Sequence, residues 1–308
     1  MSETDMTITG GEGVRQILAA LLGDLVKNEA GAAEGADIEF LHNYRVAVRR
    51  ARVIVSQYKN ALPSETAVFL RDELRWLGRA TSPMRDADIF MTALEHYAVW
   101  LPEDLAEHLK PFREYLLKSR KTGQENFVHL LKDKRYGAFI AFWRDFAEGD
   151  SALQDSQVFP DFEDLAHARI WRLYKKIVRR GQKISPESLP AELHALRKEC
   201  KKLRYLIELS FKIISPGKIS EVMKSLKSLQ NVLGLHQDCD VQVAALMDFS
   251  RNIDQDSGAA GYIGLAMGIL IGHLETKKAE QREKFISFFD KFSGDRSRRG
   301  FRILCGKN

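Results

Sequence analysis

"LHNYRVAVRRARVIVSQY" at residues 41–58 and "LHALRKECKKLRYLIELS" at residues 193–210 carry one pattern twice. His42 aligns with His194, Arg45 with Arg197, Arg49 with Lys201, Arg50 with Lys202 and Arg52 with Arg204, at a constant offset of 152 residues. The apolar positions follow: Tyr44, Val48, Ala51 and Val55 fall on Leu196, Cys200, Leu203 and Ile207. At 100° per residue, His42, Arg45, Arg49 and Arg52 stay on one side of a helix, while Tyr44, Ala47, Val48, Ala51, Val55 and Tyr58 occupy another. Each stretch therefore predicts an amphipathic helix, one face for a bundle and one stripe of cations.

A second block repeats downstream. "LRWLGRATSPMRDADIF" at 74–90 parallels "LQNVLGLHQDCDVQV" at 229–243, each with a Leu-Gly pair and then Asp-x-Asp. The two blocks keep their order and spacing, about 40 residues, in both parts of the chain. This predicts one domain over 14–300 made of two homologous halves, 14–150 and 160–300, joined by the acidic stretch "AEGDSALQDSQVFPDFED". Helical periodicity predicts helices over 14–28, 38–60, 64–80, 84–98, 103–121 and 124–147, then 161–181, 190–213, 217–234, 238–254 and 260–292. "GAAEGAD", "ISPESLP" and "SPG" supply turns between them. Asp37 suits an N-cap and Pro190 a first helical turn. No alternating strand pattern is present, so the expected class is all-α, two helical bundles in tandem.

The 308 residues are 44% hydrophobic and 29% charged, with mean hydropathy −0.29, a globular composition. A net charge of +5 matters less than its distribution. Cys200, Cys239 and Cys305 are far apart with no C-x-x-C, which argues against a disulfide framework or zinc site and for a reducing, cytoplasmic setting. "MSETDMTITGGEG" lacks the basic and apolar regions of a signal peptide. The longest apolar run, 258–272, is shorter than the ~20 residues a membrane helix needs.

A third stripe, Arg169, Arg172, Lys176 and Arg179, shares the spacing; from His167 to Pro186 there are seven Lys/Arg and no acid. Like charges at i,i+3 or i,i+4 cost a few tenths of a kcal/mol per pair, so an external anion is the expected compensator. Arginine's fork suits phosphate bidentately, and cations along roughly 15 Å of helix suit an extended polyanion. The register of the third stripe suggests that it shares one groove with the other two.

"LHNYRVAVRRAR" with "LGRATSPMRDAD", and "LHALRKECKKLRY" with "LGLHQD", resemble the CHAD family, named for a conserved histidine α-helical domain. The resemblance implies two four-helix bundles related by pseudo-twofold symmetry, with basic helices lining a groove or cavity. It further implies non-catalytic binding of inorganic polyphosphate, association with polyphosphate granules, and a polyphosphate-metabolising enzyme encoded separately as partner. Carried over residue by residue, the candidate ligands are His42, Arg45, Arg49, Arg50, Arg52, His194, Arg197, Lys201, Lys202 and Arg204, to which the third stripe adds Arg169, Arg172, Lys176 and Arg179. Tyr205 follows the second motif as the family expects; Val53 stands in its place in the first, so the halves are expected to contribute unequally. Replacing Arg45 and Arg49 by alanine is expected to weaken binding without unfolding the bundle. No cofactor, metal or membrane partner is expected.

Two other readings stay open at this level. His42, His194, Asp86, Asp88, Asp238 and Asp240 offer imidazole and carboxylate groups for a metal-dependent phosphohydrolase. Against it, each histidine lies among cations, and Asp-x-Asp after a turn suits helix caps or partners for the arginines. The stripes also suit a general polyanion or nucleic-acid module, although few side chains there read bases.

Overall fold

The computed structural model describes residues 8–149, 160–215, 220–253 and 258–307. The start of the chain before residue 8, most of the acidic linker, the first residues of the predicted helix 217–234 and the last of 238–254 lie outside the described residues. Within them the chain is helical: α1 (Gly10–Lys27), α2 (Glu29–Glu34), α3 (Ile38–Gln57), α4 (Ser64–Ala80), α5 (Ser82–Tyr97), α6 (Glu103–Ala106), α7 (Lys110–Leu131), α8 (Lys134–Glu148), α9 (Phe162–Gly181), α10 (Pro190–Ile214), α11 (Ser220–Arg251), α12 (Ala260–Ser293) and α13 (Asp295–Leu304). Asp37 caps α3 by accepting from the Glu39 N–H at 2.8 Å, and Pro190 opens α10, as expected from their chemistry.

Two expected breaks are absent. Helix α7 runs through 122–123, where a boundary between 103–121 and 124–147 was expected; the chain breaks instead at Lys132–Asp133, and Asp133 caps α8 through the Arg135 N–H at 2.7 Å. Gly123 is there for approach, since a Cβ would lie 2.8–3.0 Å from Met84 on α5. Likewise α11 passes unbroken through Gly234, joining the expected 217–234 and 238–254. A helical glycine costs about 1 kcal/mol relative to alanine, and α11 carries it while packing against α12. Asp238 and Asp240 therefore sit within a helix and do not cap one. Helix α13 was not expected.

The halves meet at matched positions. The Thr9 and Asp161 backbones pair, with the Gly10 N–H on Pro160 O and the Phe162 N–H on Ile8 O, both 2.9 Å. Deeper in, the Tyr58 and Ser210 hydroxyls bond at 2.8 Å. In both pairs the partners stand 152 residues apart, the offset of the sequence repeat.

Buried residues form two cores. The larger draws on α1, α3, α4, α8, α9, α10, the first part of α11, the end of α12 and α13. The second joins Phe90, Leu94 and Tyr97 of α5 and Phe112 and Leu116 of α7 to Val243 and Leu246 of α11 and Ile263, Met267 and Leu270 of α12. Phe112 packs on Phe249 with ring centres 4.9 Å apart. The halves are thus joined twice. On α5, Asp86 lies between Met84 of the first core and Phe90 of the second; on α11, Asp238 lies between Leu233 and Cys239.

Candidate anion-binding cleft

Helix α3 buries Tyr44, Ala47, Val48, Ala51, Ile54 and Val55, which turns its cation stripe away from the core. Facing it is α4, whose Gly78 lets the helices approach: a Cβ there would come within 3.2 Å of the Arg52 guanidinium. The result is a cleft of about 280 Å³ lined by Arg45, Arg49, Arg52, Arg75, Arg79 and Ser82. Among the described residues Arg49, Arg52 and Arg79 make no ion pair, and Arg75 has only an exposed contact with Asp72 at 3.5 Å.

The second half supplies cations to the same space. The Arg49 charge acts on both Arg197 and Lys201 of α10, so the two stripes face one another. Burial, then repulsion from Arg197 and Arg49, pushes the Lys201 amine down to about 8. Arg45 is pushed down to about 10 by burial and by Arg49, and Arg52 and Arg197 also fall below their ordinary values, chiefly through burial. Four cations held in environments that disfavour their charge form a site that a polyanion would relax.

Not every predicted ligand serves equally. Arg45 donates to Gly78 O at 3.1 Å, to the Thr81 hydroxyl at 2.6 Å and to the Ser82 hydroxyl at 3.1 Å, so it ties α3 to the α4–α5 junction. Arg50 points away from the stripe, donating to Glu208 at 3.0 Å and lying over the Tyr205 ring at 5.5 Å. Arg204 is on the α10 stripe but donates to Glu208 at 2.7 Å. Lys202 bonds Glu199 at 3.4 Å. Lys176 of α9 reaches the same Glu199 at 3.1 Å, and Arg180 stands 3.8 Å from it. Glu199 and Lys202 lie on the side of α10 opposite Arg197, Lys201 and Arg204, so the α9 stripe (Arg169, Arg172, Lys176, Arg179) flanks a different surface and does not join this cleft.

His42 stands at the end of the α3 stripe, and burial followed by the Arg85 charge lowers its basicity. His194 is also lowered, first by burial, and its Nδ1 is hydrogen-bonded to Gln237 Oε1. The aspartates are matched to cations: Asp238 accepts from Arg197 at 3.4 Å, Asp88 from Arg120 at 2.7 Å, and Asp240 lies 3.0 Å from Lys278. Among the described residues no three His, Cys, Asp or Glu side chains are grouped to hold a metal ion, and no helix is long and apolar enough to cross a membrane. Arg75 and Arg79 are the cleft residues that the sequence reading passed over; their i,i+4 spacing on α4 was the available signal.

Residues 16–247 match the model of the CHAD domain. The chain belongs to the CHAD family. Among solved structures, the CHAD domain from the plant Ricinus communis superposes with a TM-score of 0.74 at 21% identity, covering 92% of this chain and 93% of that one. PptA from Streptomyces chartreusis gives 0.69 at 14% identity, over 92% and 99%. At those identities the likeness is one of fold, and it agrees with the all-α architecture. An uncharacterized protein of Mycobacterium tuberculosis, found in two strains, is 24% identical over 203 residues, 64% of this chain and 38% of the relative. The CHAD chain thus spans about two fifths of the length of the curated relatives it matches.

Proposed function

We propose that this CHAD protein binds inorganic polyphosphate without turning it over. The observation that carries the reading is the set of cleft arginines, Arg49, Arg52 and Arg79, that have no carboxylate among the described residues while Arg49 also faces Arg197 and Lys201. A linear polymer of phosphates satisfies such a row by charge-assisted hydrogen bonds repeated along the helix. A single compact phosphate leaves most of the row unmatched. Asp88, Asp238 and Asp240 are already paired with Arg120, Arg197 and Lys278, which favours a binding role over hydrolysis. Association with polyphosphate granules, and with a separate enzyme that makes or degrades the polymer, follows from the same reading.

The test is a titration with long-chain polyphosphate at two salt concentrations, with single-stranded RNA as competitor and free phosphate monitored. Tight, salt-sensitive binding that RNA does not displace, with no phosphate release, supports the proposal. Equal competition by RNA makes the protein a general polyanion binder, and metal-dependent phosphate release makes it an enzyme.

A further inference from the structure

On the outside of the second half, away from the cleft, α9 and α13 lie against each other. Tyr174 stacks on Phe301 with ring centres 4.0 Å apart, Phe301 also meets Phe292, and the chain after α13 passes His167. This packing fixes which flanks adjoin. On α9 the exposed Arg172, Lys175 and Arg179 follow the buried Tyr174 edge, and the Lys175 amine sits 5.8 Å from the centre of the Trp171 ring. On α13 the exposed side carries Arg298 and Arg299 beside a depression of about 520 Å³, which Asp295, Arg302 and Lys307 also line. Arg298 is near enough for its charge to act on the Tyr174 hydroxyl, which is buried at this seam without a hydrogen-bond partner among the described residues.

The fold does not require all of these cations. At the corresponding positions of α1, 152 residues earlier, stand Ala20, Gly23 and Lys27 in place of Arg172, Lys175 and Arg179. Both helices pack through apolar residues, and among the described residues none of Arg172, Lys175, Arg179, Arg298 and Arg299 makes an ion pair. Among the described residues the nearby carboxylates are committed or few: Glu199 is shared by Lys176, Arg180 and Lys202, and Asp295 is the acid lining the depression. Helix α13 also lies beyond the part of the chain that the family model matches.

We infer that the α9–α13 face is a second polyphosphate-binding surface, distinct from the cleft, so that one long polymer engages the protein at two places. The inference rests on the polyphosphate reading of the cleft and extends it. Two linked contacts turn the second into an intramolecular event, which raises affinity for chains long enough to reach both by up to about 10²–10⁴ and leaves short chains unaffected.

The experiment is calorimetry with two probes, tripolyphosphate and long-chain polyphosphate, on three proteins. These are the wild type, an outer-face variant (Arg172→Ala, Lys175→Ala, Arg298→Ala, Arg299→Ala) and a cleft variant (Arg49→Ala, Arg52→Ala, Arg79→Ala), each checked by thermal melting. Two classes of tripolyphosphate site in the wild type, one in each variant, and a loss of at least tenfold in long-chain affinity for the outer-face variant are expected. Unchanged stoichiometry and long-chain affinity in the outer-face variant overturn the inference. RNA that displaces polyphosphate from the cleft variant also overturns it, by making the outer face a nucleic-acid surface. A cleft variant that binds like wild type removes the cleft reading and leaves the outer face standing; a wild type that binds neither probe removes both.

Discussion

The Tyr58 phenol and the Ser210 hydroxyl are hydrogen-bonded at 2.8 Å in the core, with both residues shielded from solvent. The two residues stand 152 residues apart, the offset at which the two basic stretches align in sequence. Tyr58→Phe and Ser210→Ala each leave a buried hydroxyl unpartnered, at a cost of about 1–3 kcal/mol. The double variant is expected to lose less than the two single losses summed, and denaturant unfolding of the four proteins measures that coupling.

Arg49→Ala with Arg52→Ala removes two cations that have no ion-pair partner among the described residues. Polyphosphate affinity is expected to fall at least tenfold, and the slope of log affinity against log salt to flatten by about 1–2. The melting temperature stays the same or rises slightly, because like-charge repulsion along α3 is relieved. Binding titrations across salt, paired with melts, check both.

Arg45→Ala behaves differently. It removes donors to Gly78 O, Thr81 and Ser82, so a stability loss of about 1–3 kcal/mol accompanies any loss of binding. Lysine does not rescue it, since one ammonium cannot replace a planar fork that spans both helix ends. Thermal melts of the alanine and lysine variants without polyphosphate test this, and a melt identical to wild type would contradict it.

Lys201 gives the cleft a pH dependence with two opposite signs. With its folded-state value pushed down to about 8, the free protein sheds this proton while an unfolded chain still holds it up to 10.5. The unfolded state therefore binds more protons between those values, and this residue's contribution to stability rises with pH across that window. Polyphosphate binding moves the other way: it needs the charged amine, weakens above about pH 8, and takes up a proton there. Lys201→Met should flatten both trends, which melts and titrations from pH 7 to about 10 would read.

Asp238 accepts from Arg197 and lies within reach of Lys201, so it competes with an incoming phosphate. Asp238→Asn is expected to tighten polyphosphate binding several-fold and to push the Lys201 amine further down, since the carboxylate charge is what raises it. Weaker binding would show instead that the carboxylate is needed to hold Arg197 in position.

The two stripe helices were legible because cations and apolar residues there separate cleanly at the helical period, and Asp37 and Pro190 mark their starts. The boundaries expected at 122–123 and 235–237 are absent because α7 packs Gly123 against Met84 and α11 packs against α12, contacts that periodicity does not reveal. Helix α13 escaped notice because it buries little beyond Phe301. Arg50 and Lys202 occupy matched positions yet differ in partners. Arg50 meets Glu208 and Tyr205, whereas the first half offers Ser56 and Val53 at those places, so Lys202 turns to Glu199. Only the Val53 substitution hinted at this inequality. Arg75 and Arg79 needed knowledge of which face of α4 looks toward α3, which periodicity alone does not give.

The second core has a consequence for how the chain matures on the ribosome. Phe90, Tyr97, Phe112 and Leu116 are all made early, yet the residues that cover them, Leu246, Phe249, Met267 and Leu270 among them, emerge about 130–180 residues later. For that interval the first half carries an apolar flank with no cover, at growth rates of roughly 5–20 residues per second. Assembly therefore waits on the last third of the polypeptide, and a nascent chain stalled before α12 is a natural substrate for chaperones.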